Sequence, residues 1–503
     1  VVGTLNQNTT GSAATLTTAR TIGGTSFDGS ANIAVGLAAT ATTLATARTI
    51  GGVSFDGSAN IDLPGVNTAG NQNVDAALVD GENFKINGGQ GTDGQVLTST
   101  GSGVAWEDAA GGGPTFKEGG TNFTNSIMVG DDATGTLNAA TGNTGLGVDV
   151  FAALTSGDNN VAVGLNALKA NTTGSTNTAV GVSALTGNTS GVDNVAVGKN
   201  ALKANTTGNY SVGIGALALQ ANTTGQNVAI GQAAMISNTT GTGNVAIGTY
   251  DDANLQPLKA NTTGDHHVAI GTGALSANTT ADKNTAVGYA SLTANTTGTA
   301  NVAFGSLSAD ANTTGSYNTA IGYGTLTANT TGHDNTAVGI NSLAANTTAH
   351  YNTAVGSSAL EGCTTGEYNT AVGQLAMDAA SMTGNFNSAL GRAALGANTT
   401  GSSNCAVGIN ALGGNTTGGT NCAFGDSALD SNTTASGNIA IGNNALGLAT
   451  TADYNTAVGH AAGDAITTGN SNTAIGKDAL GSLTTGSSNA VLGIGAGGAQ
   501  TTA

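Results

Sequence analysis

The sequence predicts an all-β fold, a parallel β-solenoid, and three observations support that prediction. A glycine that closes an N-x-A-[VI]-G motif recurs from Gly130 to Gly493, and most neighbouring copies have the same spacing. This period of about 17 residues is too short for a helical hairpin, which needs more than about 30 residues. Threonine, valine and isoleucine fill the repeat, with glycine and asparagine between them, a composition typical of strands and turns. Each repeat is therefore predicted to be one coil that contacts only its neighbours.

One coil is predicted to hold two short strands. The first is centred on N-T-A-V-G, as at 177–181, and the second runs through A-L, as at Ala184 and Leu185, before a turn at N-T-T-G. Glycine at the corners supplies the positive φ that tight turns require. The asparagine of each turn is expected to stack as an amide ladder between coils. About 22 coils, spaced by about 4.8 Å, give a rod on the order of 100 Å long.

The first strand also predicts association. In the strands at 301–305 and 438–442 both alternating sets of side chains are apolar, so neither face suits water. Small alanines fit a narrow interior, and the valine and isoleucine face then needs a partner chain. We predict a homotrimer about a central axis. The alternative is a single-chain solenoid with one exposed apolar face.

Two regions precede the solenoid, which is predicted to span 125–503. Residues 1–62 hold two copies of a 28-residue repeat that ends in F-D-G-S-A-N-I. The Asp-Gly step between apolar runs predicts a hairpin. Residues 63–124 break both periodicities and are predicted to form a connector with a small β-segment. Trp106, the only tryptophan, is expected to pack there, with stacking on a sugar as the alternative.

Four charged residues of the first region are expected to pair. These residues are Arg20, Arg48, Asp28 and Asp56. Each arginine precedes an aspartate within its own copy of the repeat, and cations are scarce in this chain. A structural ion pair is therefore favoured over ligand binding.

Both repeats resemble those of known fibrous proteins. The N-x-A-[VI]-G-x-x-A-L motif resembles the head repeat of trimeric autotransporter adhesins, a left-handed parallel β-roll that trimerises, although that family uses shorter coils. The 17-residue form with N-T-T-G resembles the version in tail-fibre proteins of marine phages. The A-R-T-I and F-D-G-S-A-N-I motifs of residues 1–62 resemble tail-fibre shaft repeats, in which three chains intertwine. The segment at 91–106 also resembles phage fibre proteins.

The resemblance implies a structural and adhesive fibre of a phage tail, a rigid rod that positions a receptor-binding tip for host attachment. Its implied partners are two further copies of the chain, other tail and virion proteins, and a host cell-surface glycan or protein receptor. The alternative is a trimeric adhesin on a bacterial surface, although the upstream repeats favour a phage. A third hypothesis, an ice-binding solenoid, would need flat T-x-T ladders. The chain starts at Val1 and stops at Ala503 within a repeat, so we expect the tip outside it.

Composition argues against several other functions. Only 8% of the residues are charged, and 11 basic against 29 acidic residues give a net charge of −18. Such a surface repels phosphate backbones, so nucleic acid is not an expected partner. No apolar run is long enough to predict membrane insertion. The chain lacks a phosphate-loop motif and a calcium-roll repeat, its five histidines look scattered, and no carboxylate pair stands out. We therefore expect no cofactor, no metal and no enzymatic activity.

An insert in the solenoid is the candidate ligand site. The interval from Gly248 to Gly271 is the longest between neighbouring motif glycines. Its distinctive residues are Tyr250, Asp251, Asp252 and Asn254. Insertions in solenoids emerge as loops, often on a binding face. With the nearby Asp265, His266 and His267, the insert could gather a cation or a sugar. The alternative is a tolerated surface bulge.

Three cysteines lie in the solenoid. Cys405 and Cys422 are one repeat period apart, so they occupy the same position in adjacent coils. Strand spacing would place their Cα atoms within disulfide range. The favoured alternative is two buried thiols where threonine or valine stands elsewhere. Cys363 replaces the asparagine of N-T-T-G and is expected to be neutral.

Overall fold

The computed structural model describes residues 138–249 and 255–501, together with ten strands that precede them. The chain divides into two compact units, Val1–Lys85 and Ile86–Ala503. The predicted boundaries at residues 62 and 124 stay predictions.

Two short hairpins lie in the first unit. β1 (Arg20–Ile22) is antiparallel to β2 (Thr25–Phe27), and β3 (Arg48–Ile50) is antiparallel to β4 (Val53–Phe55). Two residues, a Gly-Gly pair, separate the strands of each hairpin. Gly-Gly is among the sequences favoured in two-residue hairpin loops. The Asp-Gly steps and the expected arginine–aspartate pairs lie outside the described residues.

Three further strand pairs lead into the solenoid. β5 (Lys85–Ile86) pairs with β6 (Gly89–Gln90), and β7 (Gln95–Ser99) is antiparallel to β8 (Val104–Asp108). In the second pair Trp106 stands opposite Leu97. β9 (Thr115–Gly120) is antiparallel to β10 (Phe123–Gly130), which also pairs in parallel with the strands that follow it. β10 is therefore the point where the pairing changes from antiparallel to parallel.

From β10 onward the chain is a parallel β-solenoid, which confirms the predicted all-β fold. Each strand pairs in register with the strand of the next coil, so that Ala179 lies over Ala196. The strands are β11 (Ala140–Thr141), β12 (Thr144–Gly147), β13 (Val161–Val163), β14 (Thr178–Val180), β15 (Val195–Val197), β16 (Val212–Ile214), β17 (Asn227–Ile230), β18 (Asn244–Ile247), β19 (Val268–Ile270), β20 (Thr285–Val287), β21 (Val302–Phe304), β22 (Thr319–Ile321), β23 (Thr336–Val338), β24 (Thr353–Val355), β25 (Thr370–Val372), β26 (Ser388–Leu390), β27 (Cys405–Val407), β28 (Cys422–Phe424), β29 (Ile439–Ile441), β30 (Thr456–Val458), β31 (Thr473–Ile475) and β32 (Ala490–Leu492). Across the described ranges there is no helix with the length and apolar character needed to cross a membrane.

The predicted second strand of each coil is wrong. The A-L-x-x-N segment is a series of turns in which Ser183 and Leu185 have φ values of 57° and 49°. Residues in this left-handed region cannot continue an extended strand. The segment still bonds between coils, as the N–H of Leu185 donates to the carbonyl of Ala201 at 3.0 Å. Each coil therefore has one strand, followed by turns that return the chain to the next level.

The interior is a continuous column of small and medium apolar side chains. In one coil the strand alanine Ala179 and the pair Ala184 and Leu185 are fully buried, and the same positions are buried along the described solenoid up to its last coil. Glycine is required after the strand for two reasons, its backbone conformation and its close approach to the next coil. Gly181 has a φ of 136°, and a β-carbon there would overlap the carbonyl of Gly198 in the next coil. The narrow interior is thus set by residues without bulk.

The predicted amide ladder is present, and we call it the turn-asparagine ladder. The side-chain nitrogen of Asn188 donates to Oδ1 of Asn171 at 2.8 Å, and the pattern repeats in successive coils up to Asn346. Cys363 occupies the next position and ends this run, so Oδ1 of Asn346 is buried without a hydrogen-bond partner. The expectation that cysteine is a neutral replacement for asparagine at position 363 is therefore wrong for the turn-asparagine ladder.

A second asparagine ladder was not predicted, and we call it the strand-asparagine ladder. It is formed by the asparagine that begins N-x-A-[VI]-G. Oδ1 of Asn177 accepts the backbone N–H of Asn194 at 3.0 Å, and Nδ2 of Asn177 donates to the carbonyl of Gly191 at 2.8 Å. Both asparagines are fully buried. The ladder joins the strand of one coil to the turn of the next, so it fixes the coil's cross-section.

Candidate interaction surfaces

The predicted ligand insert lies outside the described residues. Its members are Tyr250, Asp251, Asp252 and Asn254. Two neighbours that were expected to join it have structural roles instead. Oδ1 of Asp265 accepts the backbone N–H of Thr242 at 2.7 Å, and His267 is buried in the strand-asparagine ladder. In the described part of the chain no group of three or more His, Cys, Asp or Glu side chains is placed to hold a metal ion.

His267 replaces an asparagine and reproduces its hydrogen bonds. Nδ1 accepts the backbone N–H of Asn284 at 3.1 Å, and Nε2 lies 2.6 Å from the carbonyl oxygen of Ala281. This pairing requires a neutral ring with its proton on Nε2. Burial lowers the pKa of His267 below its ordinary value, and the two backbone hydrogen bonds oppose that shift only in part.

The largest candidate interaction surface is the outward strand face, which consists of the two side chains that flank the central residue of each strand. In β14 these are Thr178 and Val180. No charged residue occurs at either position from β12 to β32. The second position is valine, isoleucine, leucine or phenylalanine throughout, and Phe304 and Phe424 are 56% and 57% exposed. The prediction that alanine points inward and the valine and isoleucine face outward is confirmed.

The outward strand face is large for a single chain. A column about 100 Å long and about 7 Å wide presents on the order of 700 Å². Monomeric proteins seldom expose a contiguous apolar patch of more than a few hundred Å². An interface between stable partners buries about 800 Å² on each. The apolar second position makes up about half of this area, and the first position is threonine or serine at about half of the levels. The whole uncharged column approaches the size of one side of such an interface.

The N-T-T side of the coil has a different character. The first threonine hydroxyl is used within the rod, as Oγ1 of Thr172 donates to the carbonyl of Thr189 at 2.9 Å. The second threonine, such as Thr173, is exposed. Only one hydroxyl column therefore faces solvent along this side of the described coils.

A polar column that sequence reasoning missed precedes the strand-asparagine ladder by two residues. Its side chains accept the backbone N–H of the preceding coil, as in Asp158 N–H to Ser175 Oγ at 3.0 Å and Ser436 N–H to Asp453 Oδ1 at 2.7 Å. The residue is Ser, Thr, Asp, Asn, Glu or His in most described coils, with Val192, Gly225 and Gly419 as exceptions, and these polar types share only an acceptor atom. That shared chemistry at one repeat position was the signal available in the sequence.

Five side chains form an aromatic corner of the solenoid. They are His333, His350, Tyr351, Tyr368 and Phe386. The rings of His333 and His350 stack at 3.6 Å, those of Tyr351 and Tyr368 at 4.9 Å, and those of Tyr368 and Phe386 at 5.1 Å. The expectation of scattered histidines is wrong for His333 and His350, which are one repeat period apart. Because the rings cover one another's faces, the corner presents ring edges rather than a flat platform for a sugar.

The stacked histidines do not make a paired metal site. Nδ1 of His333 lies 2.8 Å from Oδ2 of Asp334, which leaves Nε2 of His333 as its free nitrogen. Nδ1 of His350 accepts the backbone N–H of His333 at 3.0 Å, so its neutral ring carries the proton on Nε2. Burial lowers the pKa of His350, and the neighbouring His333 adds to that effect. Only one of the two rings therefore offers a lone pair to solvent.

The cysteines differ in exposure. Cys405 and Cys422 are register partners on β27 and β28, and both are free thiols. Cys405 is exposed and Cys422 is half-buried, so the prediction of two buried thiols is wrong. They occupy the first position of the outward strand face, where the pleat points side chains away from the interior. Cys363 is fully buried, and burial raises its pKa to about 12.

Comparison with known proteins gives no match. No protein family, curated protein or solved structure is similar to this chain at a significant level. Function must therefore be argued from the solenoid and its surfaces.

Proposed function

We propose that this chain is the rod of a homotrimeric phage tail fibre, which holds a receptor-binding tip away from the virion for host attachment. The observation that carries the proposal is the outward strand face, which is apolar or uncharged at every level from β12 to β32. A surface of this length is buried most simply by further copies of the same chain, since identical coils meet at identical spacing. Three copies around one axis cover it without leaving an open edge.

The finer architecture follows from the resemblance of the repeats. The solenoid is left-handed, and residues 1–62 form intertwined shaft repeats with the same three chains. The hairpins β1–β2 and β3–β4 supply short strands in each of these repeats, which is compatible with a shaft.

The ladders support a mechanical role. In the described solenoid successive coils are tied by backbone hydrogen bonds and, in most coils, by the strand-asparagine ladder and the turn-asparagine ladder. Such stacking gives stiffness along the axis without disulfides, since the described cysteines are free. A stiff extended rod suits a part whose task is to set a distance.

The partners in this proposal are other tail proteins at one end and a host cell-surface glycan or protein receptor at the other. A bacterial surface adhesin remains the second candidate, because its head repeat would use the same apolar face. Immunogold electron microscopy with an antibody against the N-T-A-V-G repeat separates the two. Label on fibres that project from virion tails supports the phage fibre, whereas label on uninfected cell surfaces overturns it in favour of the adhesin.

Assembly is tested by mass. Light scattering on the purified chain is expected to give three times the 48.0-kDa chain mass. A variant with Ile321→Lys, Val338→Lys and Val355→Lys puts three charges on consecutive levels of the outward strand face. It is expected to reduce the mass to that of one chain and to leave the β circular-dichroism signal in place, because buried unpaired charges disfavour the interface.

A matched control places the same charges elsewhere on the same coils. Thr331→Lys, Thr348→Lys and Thr365→Lys lie on the exposed column of second threonines. This control is expected to stay trimeric. A monomer mass for the unmodified chain would contradict the proposed trimer. Dissociation of both variants would show that the outward strand face is not the interface.

A further inference from the structure

Cys405 and Cys422 form a pair of thiols on the outward strand face, the face that the proposed trimer covers. They stand opposite one another on adjacent parallel strands, at the first position of the outward strand face. Between β12 and β32 the same position holds Thr, Val, Ser, Ile or Ala in the other coils. Two thiols on neighbouring levels therefore point in the same direction from one rigid sheet.

The spacing of the coils limits what two thiols can do. Register partners on parallel strands keep their β-carbons about 4.8 Å apart, whereas a relaxed disulfide needs about 3.8 Å. The in-register pairing of β27 with β28 sets the spacing of the coils at this level, and Ala406 and Ala423 are fully buried behind the thiols. A disulfide here would be strained, which favours its reduction.

We propose that Cys405 and Cys422 together bind one soft monovalent cation of the copper(I) class. Two metal–sulfur bonds of about 2.3 Å span up to about 4.6 Å between sulfurs, which matches the distance between the coils. Thiolates select soft cations such as copper(I). Zinc needs four ligands, and the described residues supply no group of three. The two thiolates can by themselves complete the coordination of a two-coordinate cation.

The reaction is balanced without any redox change. One Cu⁺ and two thiols give a dithiolate complex with two new copper–sulfur bonds, two broken S–H bonds and two protons released to the buffer. Both sulfurs come from one chain, so the site does not depend on trimer formation. Burial raises the pKa of the Cys405 thiol and the neighbouring Cys422 adds to the effect, which is consistent with thiols held side by side.

The test uses the full chain and copper(I) supplied as its acetonitrile complex under nitrogen, in competition with a chromophoric copper(I) chelator. Two samples are compared, the assembled protein and protein that is renatured with copper(I) present. In the second sample copper(I) can reach the thiols before the chains associate. We expect one copper per chain to be held against the chelator. Cys405→Thr and Cys422→Thr, each of which restores a residue found at this position in other coils, should each weaken retention on the order of 100-fold, because one thiolate loses the effective concentration of the second.

Cys363→Asn is the matched control, because it removes the buried thiol and keeps Cys405 and Cys422. It should retain one copper per chain. Equal retention by the Cys405→Thr and Cys422→Thr variants would overturn the proposal. So would absence of retained copper in both samples of the unmodified chain, or a chain mass lower by about two hydrogens that shows the pair closed as a disulfide. Light scattering on the same samples reports separately on the trimer.

Discussion

At the scale of single residues, stability depends on buried amides that serve each other across coils. Asn295 shows the arrangement. Its Nδ2 donates to Oδ1 of Asn278 at 3.0 Å and to the carbonyl of Gly298 at 2.9 Å, and its Oδ1 accepts from Asn312 at 2.8 Å. An amide donates through its nitrogen and accepts through its oxygen, so one side chain can bond to both neighbouring coils. The ladder therefore tolerates few replacements, and its runs end where Cys363 or Ala449 stands.

Asn295→Asp removes the donors and keeps the shape. We expect the free energy of unfolding to fall by about 3 kcal/mol or more, because a buried carboxylate would face Oδ1 of Asn278 and the carbonyl of Gly298. Thermal unfolding followed by circular dichroism measures the change. Asn444→Asp is the control, since Asn444 is exposed and Asp478 occupies the same position two coils later. Equal losses in both variants would contradict the ladder's role.

His267 adds a pH dependence to the strand-asparagine ladder. Burial lowers its pKa, so the unfolded chain takes up a proton near pH 6.5 while the folded ring stays neutral. The stability that His267 contributes is thus fully present above about pH 6.5 and is lost as the pH falls towards the folded-state pKa.

His267→Asn restores the usual ladder residue and removes this titration. The unfolding midpoint of the unmodified chain should fall relative to that of the variant as the pH is lowered from about 7.5 to about 5. Scanning calorimetry of both proteins across that range measures the difference. Because the other titrating groups are common to both proteins, parallel pH curves would show that His267 does not titrate as inferred.

At the scale of the element, each coil is one strand and a chain of turns. Leu343 illustrates the turn segment, with a φ of 53° and a fully buried side chain. The left-handed conformation is unfavourable for leucine, and the packing of its side chain in the interior holds the backbone there. The turn segment is therefore where conformational strain and core packing act on the same residue.

Leu343→Ile keeps the side-chain volume and adds a β-branch. A second strand would accept isoleucine, whereas the left-handed turn should lose about 2 kcal/mol of stability, because β-branched residues disfavour positive φ. The reverse exchange, Ile466→Leu, lies in the interior at a residue without positive φ and should cost less than about 1.5 kcal/mol. Unfolding midpoints of the two variants test whether Leu343 lies in a strand or in a left-handed turn.

At the scale of the whole solenoid, stability is a sum of coil and nearest-neighbour contributions. From Gly288 to Gly373 the motif glycine returns at an unchanged spacing, at positions 305, 322, 339 and 356 in between. In-register pairing is kept whenever whole coils are removed, because each level presents the same alanine and asparagine positions. The number of coils, and with it the length of the rod, can therefore change without loss of the in-register pairing.

Deleting residues 289–373 removes five coils and should shorten the rod by about 24 Å with little change in its unfolding midpoint. Electron microscopy of negatively stained particles measures the length. Deleting residues 289–296 removes about half a coil and should destabilise the protein, because it puts interior residues on the surface. An intact rod after the half-coil deletion would contradict the in-register solenoid.

The sequence by itself determined the period, the parallel in-register stacking, the alanine interior, the apolar outward face and the turn-asparagine ladder. These features follow from residue spacing, since one register satisfies every coil at once. Only the tertiary structure decided that Leu185 sits in a left-handed turn, that His267 faces inward and that Cys405 faces outward. The turns depend on the contacts of the neighbouring coils, so residue spacing alone does not give their backbone conformation or the exposure of each side chain.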